Sequence, residues 1–472
     1  MSLQLEASRE QPVVVIGAGP VGLAALANLL DRGIPAMVVE AAAGVGEHFR
    51  QYGPVRLFSP WKFNIAEPIV RRLATSASGW IAPDGDALPL ASDILERVLR
   101  PFAELSEVKP AIRLRHRVLA ISRHGVDKVK SAGRERAPFA LRVQTPDGQR
   151  TIRAASVIDA SGTWSSPNPL GGHGLPAEGE HEHHARIFYG IPDVLGAHRA
   201  RYAGKRVLVV GSGHSAANTL LALAQLAQSA TATSLLWAVR SAALARAFGG
   251  GEADQLPARG ALGSALERLA TSGRLDVHAD FRVTALHAAD DRTLKVAGEH
   301  ADGSLEEIRG VDEIVCATGQ RPDLDMTREL RLRLDPWLES TEALGPLIDP
   351  NVHSCGSVPP HGHRELAHPE PGFYTVGVKS YGRAPTFLML TGYEQVRSVV
   401  AAIAGDVASA DKVELVLPET GVCNTSTSVS DAGCCSVPPA TSVPVKIPLA
   451  IGRAHTAAAP VREPAAAGCC GR

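Results

Sequence analysis

Val13-Val14-Val15-Ile16-Gly17-Ala18-Gly19-Pro20-Val21-Gly22 is the stretch on which the fold of this chain turns. The β-branched apolar run at its front reads as a buried strand. The glycine-rich turn that follows opens into an apolar helix pattern from Pro20, a residue suited to a first helical turn. Glycines in such a turn let a phosphate approach the backbone, and the helix N-terminus supplies N–H groups and partial positive charge. A second strand, Ala36–Val39, leads into Glu40, a carboxylate at the spacing that suits a ribose 2′-hydroxyl. Strand, turn, helix, strand and acid in that order predict a dinucleotide site built from Gly17, Gly19, Pro20, Gly22 and Glu40.

The pattern recurs. Gly211-Ser212-Gly213-His214-Ser215-Ala216 follows the strand Val207–Val210 and opens an Ala/Leu-rich helix. The returning strand, from Ser234, ends in Arg240 instead of an acid. An acid there repels a 2′-phosphate, whereas arginine pairs with one. The second site is therefore expected to take NADPH through Gly211, Gly213, His214, Ser215 and Arg240. Hydride passes from nicotinamide to flavin, which makes FAD the sensible occupant of the first site.

Further strands are expected at Ser156–Ile158, Glu313–Val315 and Phe373–Val376, with a long helix over Thr386–Ala404. Lys128–Arg136 reads as a hairpin loop, and Gly162–Pro192 as a Gly/Pro/His-rich linker. The fold class that follows is α/β, with two Rossmann-like dinucleotide-binding domains, the second inserted in the first, and a flexible C-terminal tail. The expected boundaries put the FAD domain at residues 1–170 and 316–410 and the NADPH domain at 171–315. Residues 411–472 are expected to form a disordered, cysteine-containing tail, being rich in Ala, Pro, Ser, Thr and Val with little helical period.

The chain has 472 residues and a formal net charge of -1, with 48 basic against 49 acidic side chains. That balance gives no electrostatic reason to expect nucleic acid or an anionic membrane as partner. Gln11–Leu30 is uncharged and long enough to span a bilayer, but its glycines, Pro20 and Asn28 suit a strand, turn and helix better. The polar N-terminus does not read as a secretory signal. Most of the seven cysteines fall in the tail, so the body has no disulfide framework and a cytoplasmic location is expected.

Together with the Asp159-Ala160-Ser161-Gly162 and Cys316-Ala317-Thr318-Gly319-Gln320-Arg321-Pro322 turns, the two fingerprints resemble the two-dinucleotide-domain flavoproteins. Gly204-Lys205-Arg206 resembles their flavin-containing monooxygenase branch, the likeness covering about residues 10 to 405. Lys379-Ser380-Tyr381-Gly382-Arg383-Ala384-Pro385-Thr386-Phe387 and Thr391-Gly392-Tyr393-Glu394-Gln395-Val396-Arg397 are similar to the flavin monooxygenases of bacterial arsenic-resistance operons. The resemblance implies cofactor contacts at Gly162, Thr318, Gly319 and Gly377, with Arg50 and Trp61 as further candidates. It also implies that Lys379 and Arg383 stabilise negative charge on the reduced flavin, and that Asn64 is a candidate for holding activated oxygen. Where relatives end the late strand in Gly-Asp this chain has Gly377-Val378, and Ala177 stands where they carry Phe.

Glu180-His181-Glu182-His183-His184 and the group His361, His363 and His368 lie in Gly/Pro-rich loops, and a solvated linker explains them better than zinc. Cys316 reads as a small buried hydrophobe. The vicinal pairs Cys434-Cys435 and Cys469-Cys470, with Cys423, are candidates for binding a soft metal or metalloid, or for a thiol relay, against incidental tail residues. The resulting expectation is an FAD-dependent, NADPH-using monooxygenase acting with O2 on a small soft nucleophile, a trivalent arsenical or sulfur compound. The alternatives are a reductase passing electrons through the tail cysteines to a disulfide or metal(loid), and a non-enzymatic metalloid binder.

Overall fold

Val13–Ile16, buried along its whole length, has parallel neighbours on both sides, Ala36–Glu40 and Ser156–Asp159. This explains why its sequence is continuously apolar rather than alternating. Ile112–Leu114 extends the sheet beyond the second strand, and Phe373–Thr375 beyond Ser156–Asp159, giving five parallel strands. The structure is a computed structural model that describes residues 11–415 apart from 78, 255, 354–357 and 386. Cys355, Cys423, Cys434, Cys435, Cys469, Cys470 and the tail expected at 411–472, beyond 415, lie outside the described residues.

A second five-stranded parallel sheet repeats the plan. Arg206–Val210 lies between Ser234–Ala238 and Glu313–Cys316, with Leu275–His278 and Ile187–Tyr189 at the edges. All its strands fall between Ser156–Asp159 and Phe373–Thr375 of the first sheet, so the second Rossmann-like unit is inserted in the first. Each unit also carries a three-stranded antiparallel sheet, Arg117–Ala154 in the first and Arg282–Val311 in the second. Lys128–Arg136 lies between the strands Arg117–Arg123 and Phe139–Thr145, as its charged, Gly-containing sequence suggests.

The first core is closed by the end of the described chain. Helix Met389–Ile403 packs on helix Pro20–Asp31, joining Val396, Val399 and Val400 to Leu23, Leu26 and Ala27. Gly392 makes the close approach possible, since a Cβ there would stand 2.7 Å from Val21 Cγ2.

A buried ionic cluster ties the hairpin to the returning chain. Glu370 Oε1 accepts from Arg123 Nε at 2.8 Å, while Oε2 accepts from Arg134 Nη2 at 2.6 Å and from the Arg331 N–H at 3.0 Å. The Glu370 side chain is 1% exposed, and the Arg123 guanidinium lies 3.7 Å from the Phe139 ring centre. Among the described residues no helix is long and apolar enough to cross a membrane.

Candidate functional site

The first fingerprint turn is shaped by collisions that only glycine avoids. Gly17 has φ +97°, and a Cβ on it would stand 2.7 Å from the Ala160 carbonyl oxygen; at Gly22 the Cβ would meet the Gly17 oxygen at 2.0 Å. Gly19 is different, with nothing within 4 Å of the Cβ position. The space in front of Gly19 is thus open, and the helix it caps has no side-chain acceptor on its first N–H groups. That combination suits an anionic pyrophosphate. Glu40 is fixed on the wall beside it, its oxygens accepting from Ala18 N–H and Ala42 N–H, each at 2.7 Å. Each oxygen keeps a further lone pair for a ribose hydroxyl.

A cavity of about 350 Å³ opens here, at the C-terminal ends of Val13–Ile16 and Ser156–Asp159. Such switch points are where open parallel sheets take ligands. Gly17, Gly19, Pro20, Glu40, Gly162 and Gly377, all named above as candidate cofactor contacts, line it, and the residues present fit a dinucleotide. Its far wall is aromatic and apolar: Tyr52, Leu57, Trp164, Phe387 and Met389. Tyr52 and Trp164 lie with ring centres 4.8 Å apart, and the Trp164 indole N–H donates to Gln51 Oε1 at 2.7 Å. Burial pushes the His48 imidazole pKa down, outweighing the pull upward from Glu40 and Glu47.

The second fingerprint repeats the geometry. Gly211, at φ +132°, would place a Cβ 2.3 Å from the Ala317 oxygen, whereas Gly213 faces open space. Helix His214–Ser229 starts there, also without a side-chain cap. Its first residue touches the other site's loop, Phe58 meeting His214 edge-on at 4.9 Å. The strand before Arg240 ends at Ala238, two residues earlier than its sequence suggests. Arg240 is exposed, contacts only the Gly172 carbonyl at 3.5 Å and has no carboxylate partner among the described residues. Gln320, just past Thr318 and Gly319, reaches the first cavity's wall, so the turn after Glu313–Cys316 connects the two sites. Thr318 Oγ1 and the Gly319 backbone are engaged with Asn168.

Arg50, Trp61, Asn64, Lys379 and Arg383 lie outside the cavity wall, and each has a partner that accounts for it. Arg50 is exposed and paired with Glu47. Trp61 is buried in the first core, with the Arg97 guanidinium 5.4 Å from its ring. The Asn64 amide, 3% exposed, donates to the Ser59 and Pro60 carbonyls at 2.6 and 2.8 Å and accepts from Ser59 Oγ at 3.0 Å, which engages both its N–H groups. Arg383 pairs with Glu339 at 2.7 Å, and Lys379 with Asp159 at 2.7 Å beneath the cavity. Both cations, expected from the resemblance to stabilise negative charge on the reduced flavin, are therefore held in ion pairs.

His48, Tyr52, Trp164, Phe387 and Met389 form wall that sequence reasoning did not single out. Trp164 follows the recognised Asp159–Gly162 turn by two positions and Phe387 ends a quoted motif, so adjacency was the available signal. In the histidine-rich linker, Glu180 is a structural hub, accepting from Leu170 N–H, Ala177 N–H and Tyr189 O–H. No group of His, Cys, Asp and Glu among the described residues is arranged to hold a metal ion. Cys316 is buried, and desolvation pushes its thiol up to about 11.

Solved structures share this fold at low sequence identity. The bacillithiol disulfide reductase of Bacillus cereus matches at a TM-score of 0.59 with 17% identity, covering 84% of this chain and 99% of that one. The cadaverine monooxygenase of the desferrioxamine biosynthetic pathway from Erwinia amylovora, bound to FAD, matches at 0.60 with 13% identity, covering 87% and 98%. An ornithine N-hydroxylase from Kutzneria sp., with reduced FAD, NADP+ and L-ornithine, matches at 0.55 with 16% identity, covering 85% and 98%. No curated protein sequence matches significantly. The family model for pyridine nucleotide-disulphide oxidoreductases matches residues 11–369, and the chain belongs to that family of flavin-dependent oxidoreductases.

Proposed function

We propose that the protein is an FAD-dependent, NADPH-using monooxygenase acting on a small soft nucleophile, a trivalent arsenical or a sulfur compound. The reaction balances as NADPH, a proton, O2 and the nucleophile giving NADP+, water and the singly oxygenated product. Bound flavin supplies hydride uptake from nicotinamide and the activation of O2. The observation that carries the reading is the cavity wall. It is apolar and aromatic beside Gly377 and Val378, and no described cysteine lines it. Tyr52, Leu57, Trp164, Phe387 and Met389 would exclude water from the reacting centre.

Residues 1–170 and 316–410 form the FAD domain in this reading, and 171–315 the NADPH domain. Gly17, Gly19, Pro20, Gly22 and Glu40 hold the FAD pyrophosphate and ribose, with Gly162 and Gly377 beneath the ring system. Gly211, Gly213, His214 and Ser215 hold the NADPH pyrophosphate, and Thr318 and Gly319 shape the passage between the sites. Gly19→Ala should leave thermal stability unchanged and weaken FAD binding at least about tenfold, because the added methyl meets only ligand. Unaltered FAD affinity, titrated by flavin fluorescence, would place the pyrophosphate elsewhere. Arg240→Glu should lower the kcat/KM preference for NADPH over NADH by at least about tenfold, replacing a phosphate partner with a repelling charge. An undiminished preference removes Arg240 from the cofactor site.

The reaction itself is tested with 18O2. A thiol, thioether or trivalent arsenical should accelerate NADPH oxidation and emerge carrying one 18O atom. Anaerobic NADPH turnover with a disulfide, lost when Cys434, Cys435, Cys469 and Cys470 become Ser, would establish the reductase alternative instead.

A further inference from the structure

Lys379 and Asp159 form the most buried ion pair among the described residues, Nζ to Oδ2 at 2.7 Å with side chains 1% and 0% exposed. They stand at the ends of neighbouring parallel strands. Asp159 is paired with Thr375, and Lys379 follows just beyond it in the turn Gly377–Tyr381. Ser161 completes a triangle. Its Oγ accepts from Lys379 Nζ at 3.1 Å and donates to Asp159 Oδ1 at 2.7 Å, and its N–H donates to the same carboxylate oxygen at 3.1 Å. Ser161 lines the cavity, as do Gly162 and Gly377. From the other side the Gly377 N–H is held by Gln395 Oε1 at 2.8 Å.

We propose that the Lys379–Asp159 pair, acting through Ser161, holds the two turns that floor the flavin site and sets the charge beneath it. The inference rests on the flavin reading above. A pair so deeply desolvated is screened by little water, so an imbalance in it is felt across several ångströms. Intact, the pair is neutral. Losing the ammonium leaves a net negative floor, and losing the carboxylate a net positive one. Flavin reduction adds electron density above that floor, so the two changes must move the reduction potential in opposite directions. A purely structural role predicts no such sign reversal.

The test is the midpoint potential of the flavin-loaded protein, measured by dye-coupled titration. Lys379→Gln should shift it negative, Asp159→Asn positive, and the double variant should return it towards the parent. Lys379→Arg, which keeps the charge, should retain the parental value. Shifts of the same sign in both single variants, or none, overturn the proposal. Ser161→Ala carries the test if the single charge variants do not fold. It disturbs no charge and should raise the FAD dissociation constant about tenfold with the potential unchanged, and parental affinity refutes the holding role. A parent protein that binds no flavin would refute the cofactor reading, whereas a flavin-loaded parent with unresponsive variants refutes this inference alone.

Discussion

Glu370→Ala is expected to lower the free energy of unfolding by about 3–5 kcal/mol, because it leaves two buried guanidinium groups without their counter-ion. Arg123 and Arg134 are 3% and 5% exposed, so water cannot replace the lost carboxylate without opening the hairpin. That loss is a large fraction of the roughly 5–15 kcal/mol that holds a typical domain folded. Urea unfolding followed by tryptophan fluorescence measures it, and a change below about 1 kcal/mol would mean the cluster is solvated. The pH dependence follows from the carboxyl's environment. Burial pushes Glu370 up, but hydrogen bonds from Arg134, the Arg331 N–H and Arg123 outweigh it and the net direction is down. A carboxyl depressed in the folded state stabilises fully above its unfolded value, about 4.3, and the contribution is lost as pH falls through the folded value. The gap between parent and variant should therefore be full at neutral pH and narrow on strong acidification.

Gly211→Ala should slow reduction by NADPH about 100-fold while leaving the flavin site loaded. The new Cβ would meet the Ala317 oxygen at 2.3 Å in a backbone conformation that L-residues rarely adopt, so the turn must move. Displacing it would take away the N–H groups proposed to hold the NADPH pyrophosphate. A loss of about 100-fold in kcat/KM for NADPH corresponds to about 2.7 kcal/mol. Dithionite, which needs no nicotinamide site, should still reduce the bound flavin at the parental rate. If NADPH reduces the variant as fast as the parent, the second fingerprint is not the nicotinamide site.

Both glycine-rich turns, their strands, their helices and Glu40 were legible because each signal is local: period, turn chemistry and spacing fall within about 30 residues. The helix Met389–Ile403, inside the expected Thr386–Ala404, and the return of Phe373–Thr375, inside the expected Phe373–Val376, to the first sheet were legible for the same reason. What was not legible is the pairing of charges far apart in sequence. Lys379 and Arg383 look like free cations at the start of a helix until the fold brings Asp159 and Glu339 against them. Asn64 is a similar case, for its amide is satisfied by the Ser59 and Pro60 carbonyls of a turn that has no strong pattern of its own. The aromatic wall was not legible because single residues from separate segments build it, and of Tyr52, Trp164 and Phe387 only Phe387 belongs to a motif. Arg240, by contrast, kept the exposure its assignment needs, though the strand stops two residues before it.

The insertion of one sheet's strands between those of the other has a consequence for synthesis on the ribosome. The second sheet has all its strands once residue 316 has emerged, and can close on itself. The first sheet cannot. Until Phe373–Thr375 arrives, Ser156–Asp159 is an open edge, and until Met389–Ile403 arrives, one apolar flank of helix Pro20–Asp31 has no cover. The unit that begins the chain is thus the last to be completed, and its nascent form presents an unpaired strand and a bare helix flank together. That interval is when the polypeptide is most exposed to mispairing with its neighbours and most dependent on chaperone cover.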